Sequence, residues 1–535
     1  MKYSRHGIKE VEKMYIEPNT IIRILKDCPL DNTYDHTIYF SSKTSQANYF
    51  ATLAKYTLNN QTYQRVNRNR MRVQYKADDL YDCNYLMFQN SSYGNKWFYA
   101  FIRSVEFVNN ITSEIEYEID VMQTWFFDYT LGQCFIDREH SATDAVGDNL
   151  VPENLELGEY VTDDFDGSGE LGAKSIVVAA TFNEEYENIG GSLYAGLYSG
   201  LYYNVFPNTN NGAIACTEFI QGAGAKADGI VAVFLMPTNF VTGVIEPANE
   251  YTVTKTKNTN VLRADGSDVK NKKLLTYPYN FLYVTNLQGN YAEYHYELFS
   301  SNDCSFTLTG DMSPNPSVVL APQNYKGASN IANYDEKITL SGFPQLSFNT
   351  DTFKAWLAQN GSSLAINALS TAAGFGDAST SAGISIMNAN SAGGIERAVL
   401  GGNVAGVNTA LSTANLVSQV YQHSVMPHQA KGGSGSQTLA AIGLLDFAFM
   451  HKHIQPQFAS IIDDYFTRYG YATHRLKVPN RNVRPHWTYT KTVGCVVEGS
   501  VPCDDMRKIC NIYNTGITFW KNASEIGNYS LNNSV

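Results

Sequence analysis

Residues 114–121 alternate without a break, with Ile115, Tyr117, Ile119 and Val121 on one side and Glu114, Glu116, Glu118 and Asp120 on the other. A period of two marks a strand with one buried face. The run from Trp97 to Val108 precedes it across the turn-prone pair Asn109-Asn110, so the two segments predict a hairpin. Further along, turn-rich stretches at Asp163–Gly172 and Pro207–Gly212 interrupt an irregular β pattern. Asp164, Asp166 and Gly167 invite a calcium-loop reading, but the EF-hand spacing then starts on Thr162 and ends on Ala173, so an acidic turn is the better reading.

At about residue 355 the pattern changes. From Ala355 to Ala430 only Asp377, Glu396 and Arg397 are charged. Leu400, Val404, Val407 and Leu411 recur at helical spacing and predict an amphipathic helix. Gly432-Gly433-Ser434-Gly435-Ser436 is a hinge by composition. Leu439–Met450 follows, apolar except for Asp446, with Leu439, Ile442, Leu444, Leu445, Phe447 and Phe449 as its large side chains. Such an insertion suits an interior plug or a helical hairpin packed on neighbouring subunits, and its small residues also suit lipid contact. Near the end, Asp504 or Asp505 after Pro502 predicts a short helix with Met506, Ile509 and Ile512 on one face. Asn514 and Gly516 stop it, and Ile517–Trp520 reads as a closing strand.

Composition sharpens this picture. At 535 residues the chain predicts two to four domains. The pattern divides it into β-rich parts at 1–165 and 166–350, the low-charge insertion at 351–455, and an ordered C-terminal segment at 456–535. With 36 Tyr and 27 Phe the fold class is mainly β. A net charge of −12 argues against a protein that holds nucleic acid, which would concentrate cations against phosphate. Arg65, Arg68, Arg70 and Arg72 form the one basic cluster, read as a solvated strand face or a subunit contact. The eight cysteines form no CxxC pair and no common zinc spacing, which suits free thiols in a reducing cytoplasm. The first twenty residues carry no secretion signal, and no 18-residue apolar run predicts a spanning helix.

Catalytic chemistry has no foothold. The phosphate-binding loop, nucleophile elbow and zinc-protease motifs are all missing. His451 and His453 would share one face of a strand, but no carboxylate or thiol lies beside them in sequence. Asp463-Asp464 and Asp504-Asp505 read as helix-start residues. The expectation is a structural protein without metal, cofactor or enzymatic activity.

Several ordered blocks are similar to the tail-knob and distal tail-tube proteins of phi-29-like short-tailed bacteriophages. They begin with Ile22–Lys26, Pro29–Tyr34 and Thr37–Phe40. Next come Ile119–Asp128, Phe135–His140, Leu155–Gly158 and Thr276–Leu282. The last are Tyr465, Tyr469-Gly470-Tyr471, Pro479-Asn480-Arg481, Arg484-Pro485 and Gly516–Trp520. The resemblance spans nearly the whole chain except the insertion. It implies tail-tube-like β-barrels joined in a homohexameric ring at the distal end of the virion tail, assembled in the host cytoplasm. Neighbours would be other tail proteins, namely the proximal tube or lower collar and a tip lysin. Phage DNA would pass through the lumen without specific binding.

In that family, knob loops block the tube, and hydrophobic ones are released toward host membrane lipid. The corresponding residues here are Leu400, Val404, Val407, Leu411, Leu439, Ile442, Leu444, Leu445, Phe447 and Phe449. Because DNA must slide without sticking, Glu114, Glu116, Glu118 and Asp120 are candidates for an acidic lumen stripe, with a solvated outer face as the alternative. Two other readings stay open: a receptor-binding tail protein that recognises cell-wall glycans, and a wall-degrading enzyme whose two carboxylates carry no motif.

Overall fold

A computed structural model describes residues 19–61, 69–166, 170–186, 193–194, 197–198, 200–241, 250–311, 316–327, 331–343, 345–347 and 445–535. The chain is mainly β and forms two compact units. The first comprises Met1–Leu155, Val269–Lys273 and Ser460–Val535; the second comprises Glu156–Asp268 and Leu274–Ala459. The units are therefore not consecutive stretches of chain.

The first unit holds a six-stranded antiparallel sheet. Its order is Ala54–Gln61, Thr20–Lys26, Cys83–Gln89, Phe98–Asn109, Thr112–Ile119 and Arg70–Val73. The expected hairpin is its backbone, with Ile102 opposite Tyr117 and Val105 opposite Ile115. Asn109 Oδ1 accepts the Ile111 N–H at 3.0 Å and shapes the turn. Ile115 and Tyr117 are buried, as the alternation requires. The strand ends at Ile119, two residues short of the pattern, because the Asp120 carboxylate accepts the N–H groups of Met122 and Gln123, both at 3.0 Å. That cap turns Val121–Trp125 into a short helix.

A five-stranded sheet also lies in this unit, in the order His36–Ile38, Ile517–Trp520, Trp487–Val493, Cys134–Glu139 and Tyr471–Lys477. Its first pair is parallel and the others antiparallel. Trp487 and Trp520, fully buried with ring centroids 4.9 Å apart, anchor it. The helix Cys503–Thr515 buries Ile509, Ile512 and Tyr513. Its N-cap is Pro502, so Asp504 and Asp505 lie inside the first turn rather than capping it. There Asp505 accepts the Trp125 indole N–H at 2.9 Å.

The second unit contains three four-stranded antiparallel sheets. In the first, Ala448–Ile454 lies between Tyr160–Asp166 and Asn280–Thr285, with Tyr291–Tyr294 at the edge. The second runs Tyr202–Pro207, Lys174–Ala180, Ile230–Pro237 and Gln345–Ser347. The third runs Glu250–Thr256, Asp303–Asp311, Ser317–Pro322 and Ile338–Ser341. One shared core takes side chains from all three, among them Val177, Leu282, Phe306, Leu320 and Phe449.

Candidate functional site

Sheet pairing decides the fate of the acidic alternation. Arg70–Val73 sets Arg70 opposite Glu116 and Arg72 opposite Glu114. Arg70 reaches Glu116 at 2.8 Å, Glu114 at 3.3 Å and Glu106 at 3.4 Å, and Arg72 Nε donates to Glu114 at 3.0 Å. Lys508 is hydrogen-bonded to Glu118, with Arg103 3.7 Å away. The hydrogen bond from Arg72, then that from Arg70, hold the Glu114 carboxyl below its usual range. Asp120 differs. It is buried, it caps a helix, and burial pushes its carboxyl up to about 6 against the bonds from Gln123, Tyr85 and Met122.

These four residues therefore do not make a bare acidic stripe. Four cations (Arg70, Arg72, Arg103 and Lys508) interleave with the carboxylates of Glu106, Glu114, Glu116 and Glu118, and Asp120 is inside. The periodic pattern showed the carboxylates but not which strand would lie against them. Arg65 and Arg68 lie outside the described residues.

The insertion's two ends leave and rejoin the second unit on ordered strands. Before it, Gln345–Ser347 pairs at a sheet edge with Ile230–Pro237, Leu346 opposite Val233. After it, the chain is fixed at once: Leu445, Phe447 and Phe449 are buried in the core. Both oxygens of the buried Asp446 carboxylate lie 3.3 Å from the Leu171 N–H, and one accepts the Phe447 N–H at 2.7 Å. Leu445, Phe447 and Phe449 are thus not free for plugging or lipid contact, because the apolar run is partly an interior strand. Leu400, Val404, Val407, Leu411, Leu439, Ile442 and Leu444 lie outside the described residues.

The histidine pair occupies that same strand. His453 Nδ1 is 2.7 Å from the Ile454 carbonyl and its Nε2 2.8 Å from Asp163, while His451 Nδ1 is 2.5 Å from the Tyr296 hydroxyl. Among the described residues no group of three or more His, Cys, Asp or Glu is disposed to hold a metal.

The blocks quoted from the sequence are hubs of buried hydrogen bonding. Gln123 Nε2 donates to Thr37 Oγ1 at 2.8 Å and the Ile38 carbonyl at 2.9 Å, and Thr124 Oγ1 holds both backbone groups of Tyr99 at 3.0 Å. The buried Glu139 carboxylate accepts from Lys477 at 2.5 Å and from the Asn480 N–H at 3.1 Å. His140 is buried, accepting the Tyr489 N–H on Nδ1 at 2.8 Å and placing Nε2 3.1 Å from the Thr467 carbonyl. This fixes the neutral tautomer protonated on Nε2. Gly470 has φ +67°, and a Cβ there would stand 2.1 Å from the Glu139 carbonyl oxygen.

Two clusters escaped sequence reading. Glu153, with its carboxylate 1% exposed, takes Lys273 at 2.5 Å, Arg138 in direct contact, and the Ala472 N–H at 3.1 Å. Asp463 is not at a helix start but buried within Pro456–Tyr469, where it accepts the N–H groups of Lys270 at 3.1 Å and Asn271 at 3.0 Å. Both clusters clamp the short excursion Val269–Lys273 onto the first unit. No local pattern announces a partner more than a hundred residues away.

The antiparallel first sheet and its hairpin fall within residues 18–130, which match the N-terminal part of the caudoviral major tail proteins. The class is thus that of tail proteins of tailed phages. Residues 245–534, over half the chain, match the C-terminal domain of Bacillus phage phi29 tail knob protein gp9, and the chain belongs to that tail knob family. It is similar over its length to the tail knob proteins gp9 of Bacillus phages PZA and phi29, each 26% identical and covering 96% of this chain and 98% of theirs. The tail knob protein gp12 of bacteriophage C1 shares the fold with a TM-score of 0.62 at 14% identity, covering 96% of this chain and 99% of that one. The protein is a structural component of the phage tail knob, with a tail-tube-like domain, and resides in the virion tail.

Proposed function

We propose that six copies form a ring at the distal end of a short tail, a conduit through which the genome leaves, with the low-charge insertion as its plug. The observation that carries this reading is the anchoring of the insertion. Its flanks are a paired edge strand and a buried interior strand, so the 97 residues 348–444 between them start and end on fixed points of the second unit. The hairpin face supports passage of DNA without specific binding, since among the described residues its cations Arg70, Arg72 and Lys508 are each paired with a glutamate. The role is structural rather than enzymatic, and other tail proteins are the neighbours above and below the ring.

Deleting Gly374–Ser436 tests the plug. The expected particle assembles its tail and loses genome retention or delivery; failure of the ring to form would show that the segment is part of the subunit contact. A cryo-EM map of the isolated oligomer reads the symmetry directly, and any closed symmetry other than sixfold refutes the hexamer. Contact with host membrane lipid is a further step for residues such as Leu400, Val404, Val407, Leu411, Leu439, Ile442 and Leu444. Liposomes that stay sealed at neutral and acid pH would remove it and leave plugging alone.

A further inference from the structure

Three segments of the first unit each bring one thiol to the same place. Cys134 opens the strand Cys134–Glu139, Cys495 lies just beyond Trp487–Val493, and Cys510 sits in the helix Cys503–Thr515. The strand register pairs Thr492 with Ile136 and Val493 with Phe135, which carries the ladder toward Cys134. The Gly132 N–H donates to the Val496 carbonyl at 2.9 Å. On the other side, Asn514 Oδ1 accepts the Cys495 N–H at 3.0 Å and the Thr492 hydroxyl at 2.9 Å, fastening the helix to the turn. Cys510 stands one helical turn before Asn514, on the same face. These backbone ties bring Cys495 next to Cys134 on the strand side and next to Cys510 on the helix side. Cys134 is buried, the other two are half-buried, and all are free thiols.

We propose that this cluster is a thiol–disulfide exchange site, where Cys495 and Cys510 close a disulfide by reaction with a low-molecular-weight disulfide once the particle has left the reducing cytoplasm. The Cys510 sulfur, having lost its proton, attacks one sulfur of the oxidant RS–SR; a mixed disulfide forms and RS⁻ departs. The Cys495 sulfur, having lost its proton, then attacks the Cys510 sulfur, and the second RS⁻ departs. The two protons end on the two departing groups, so one RS–SR is reduced to two RSH as the protein dithiol is oxidised. Desolvation pushes the Cys495 thiol up to about 12, which makes the second step slow at neutral pH and protects the cluster during assembly. The product ties the helix to the turn and restricts the unfolded chain. Cys503 is exposed and lies outside the cluster, so it serves as an internal control.

The test uses assembled full-length protein, oxidised glutathione, and non-reducing peptide mapping by mass spectrometry. Expected are a Cys495–Cys510 linked peptide, a rise in Tm that a reductant reverses, and loss of that rise in Cys495→Ser and Cys510→Ser but not in Cys503→Ser. Should a serine variant fail to fold, Cys495→Ala takes its place, and the peptide map of the unmodified protein decides by itself. Cys495 and Cys510 both remaining reduced, or a disulfide that joins Cys503 instead, overturns the proposal.

Discussion

Truncating Phe449 to alanine separates two roles for the apolar run that ends the insertion. The side chain is 1% exposed, its ring sits 5.3 Å from that of Phe306, and the Lys255 ammonium lies 5.0 Å above it. Its strand is hydrogen-bonded on both sides, to Tyr160–Asp166 and Asn280–Thr285, so the backbone cannot close over the void. Large-to-small changes of this kind cost about 3–5 kcal/mol. At about 2–4 °C per kcal/mol for a unit of this size, Tm falls by roughly 10 °C. Urea unfolding should show a lower midpoint with an unchanged slope. Ile331→Ala, at a site 67% exposed in the same unit, is the comparator and should stay within about 0.5 kcal/mol. If Phe449→Ala cost under about 1 kcal/mol, like the comparator, residues 445–450 would belong to the insertion and the core assignment would fall.

Other sites give sharper readings of single interactions. Glu153→Gln leaves Lys273 and Arg138 buried without their counter-ion and should cost about 3–5 kcal/mol; a loss below 1 would show that water reaches the cluster. Gly470→Ala should fail to give stable protein, since its Cβ would strike the Glu139 carbonyl in a left-handed backbone; normal expression and Tm would refute the clash. Burial, then the charge of Arg484, push His140 down to about 3, below the unfolded value near 6.5. The unfolded chain therefore binds the extra proton, so this contribution is complete above about pH 6.5 and falls by about 1.4 kcal/mol per unit as pH drops toward 3. His140→Gln should flatten that part of the stability profile, and profiles of equal slope in the two proteins would exclude His140 as its source.

Local periodicity carried the hairpin, the helix Cys503–Thr515 and the strand Ile517–Trp520, because each is specified by residues a few positions apart. It failed where distance in sequence becomes contact in space. The alternating glutamates looked like an acidic face until Arg70 and Arg72 came across from a strand some forty residues earlier. Asp463 looked like a helix start, yet it serves the backbone of Lys270 and Asn271. The apolar stretch ending at Met450 reads alike as buried strand or exposed loop, since periodicity cannot tell two-sided burial from stickiness. The family blocks succeeded for another reason: Asp120, Gln123, Glu139, His140 and Gly470 are all buried, each tied by specific hydrogen bonds or, at Gly470, by a close backbone approach.

The parallel pairing of His36–Ile38 with Ile517–Trp520 has a consequence for biosynthesis. A ribosome adding about 5–20 residues per second needs on the order of half a minute to two minutes between these segments. Throughout that interval the five-stranded sheet lacks the strand to which His36–Ile38 pairs, and the first unit cannot close. A chain broken before residue 517 keeps that edge open, and one broken between Trp487 and Ile517 also leaves bare the face of Trp487 that Trp520 covers. Prematurely terminated products therefore carry an unpaired sheet edge and unburied aromatic surface that the finished chain conceals.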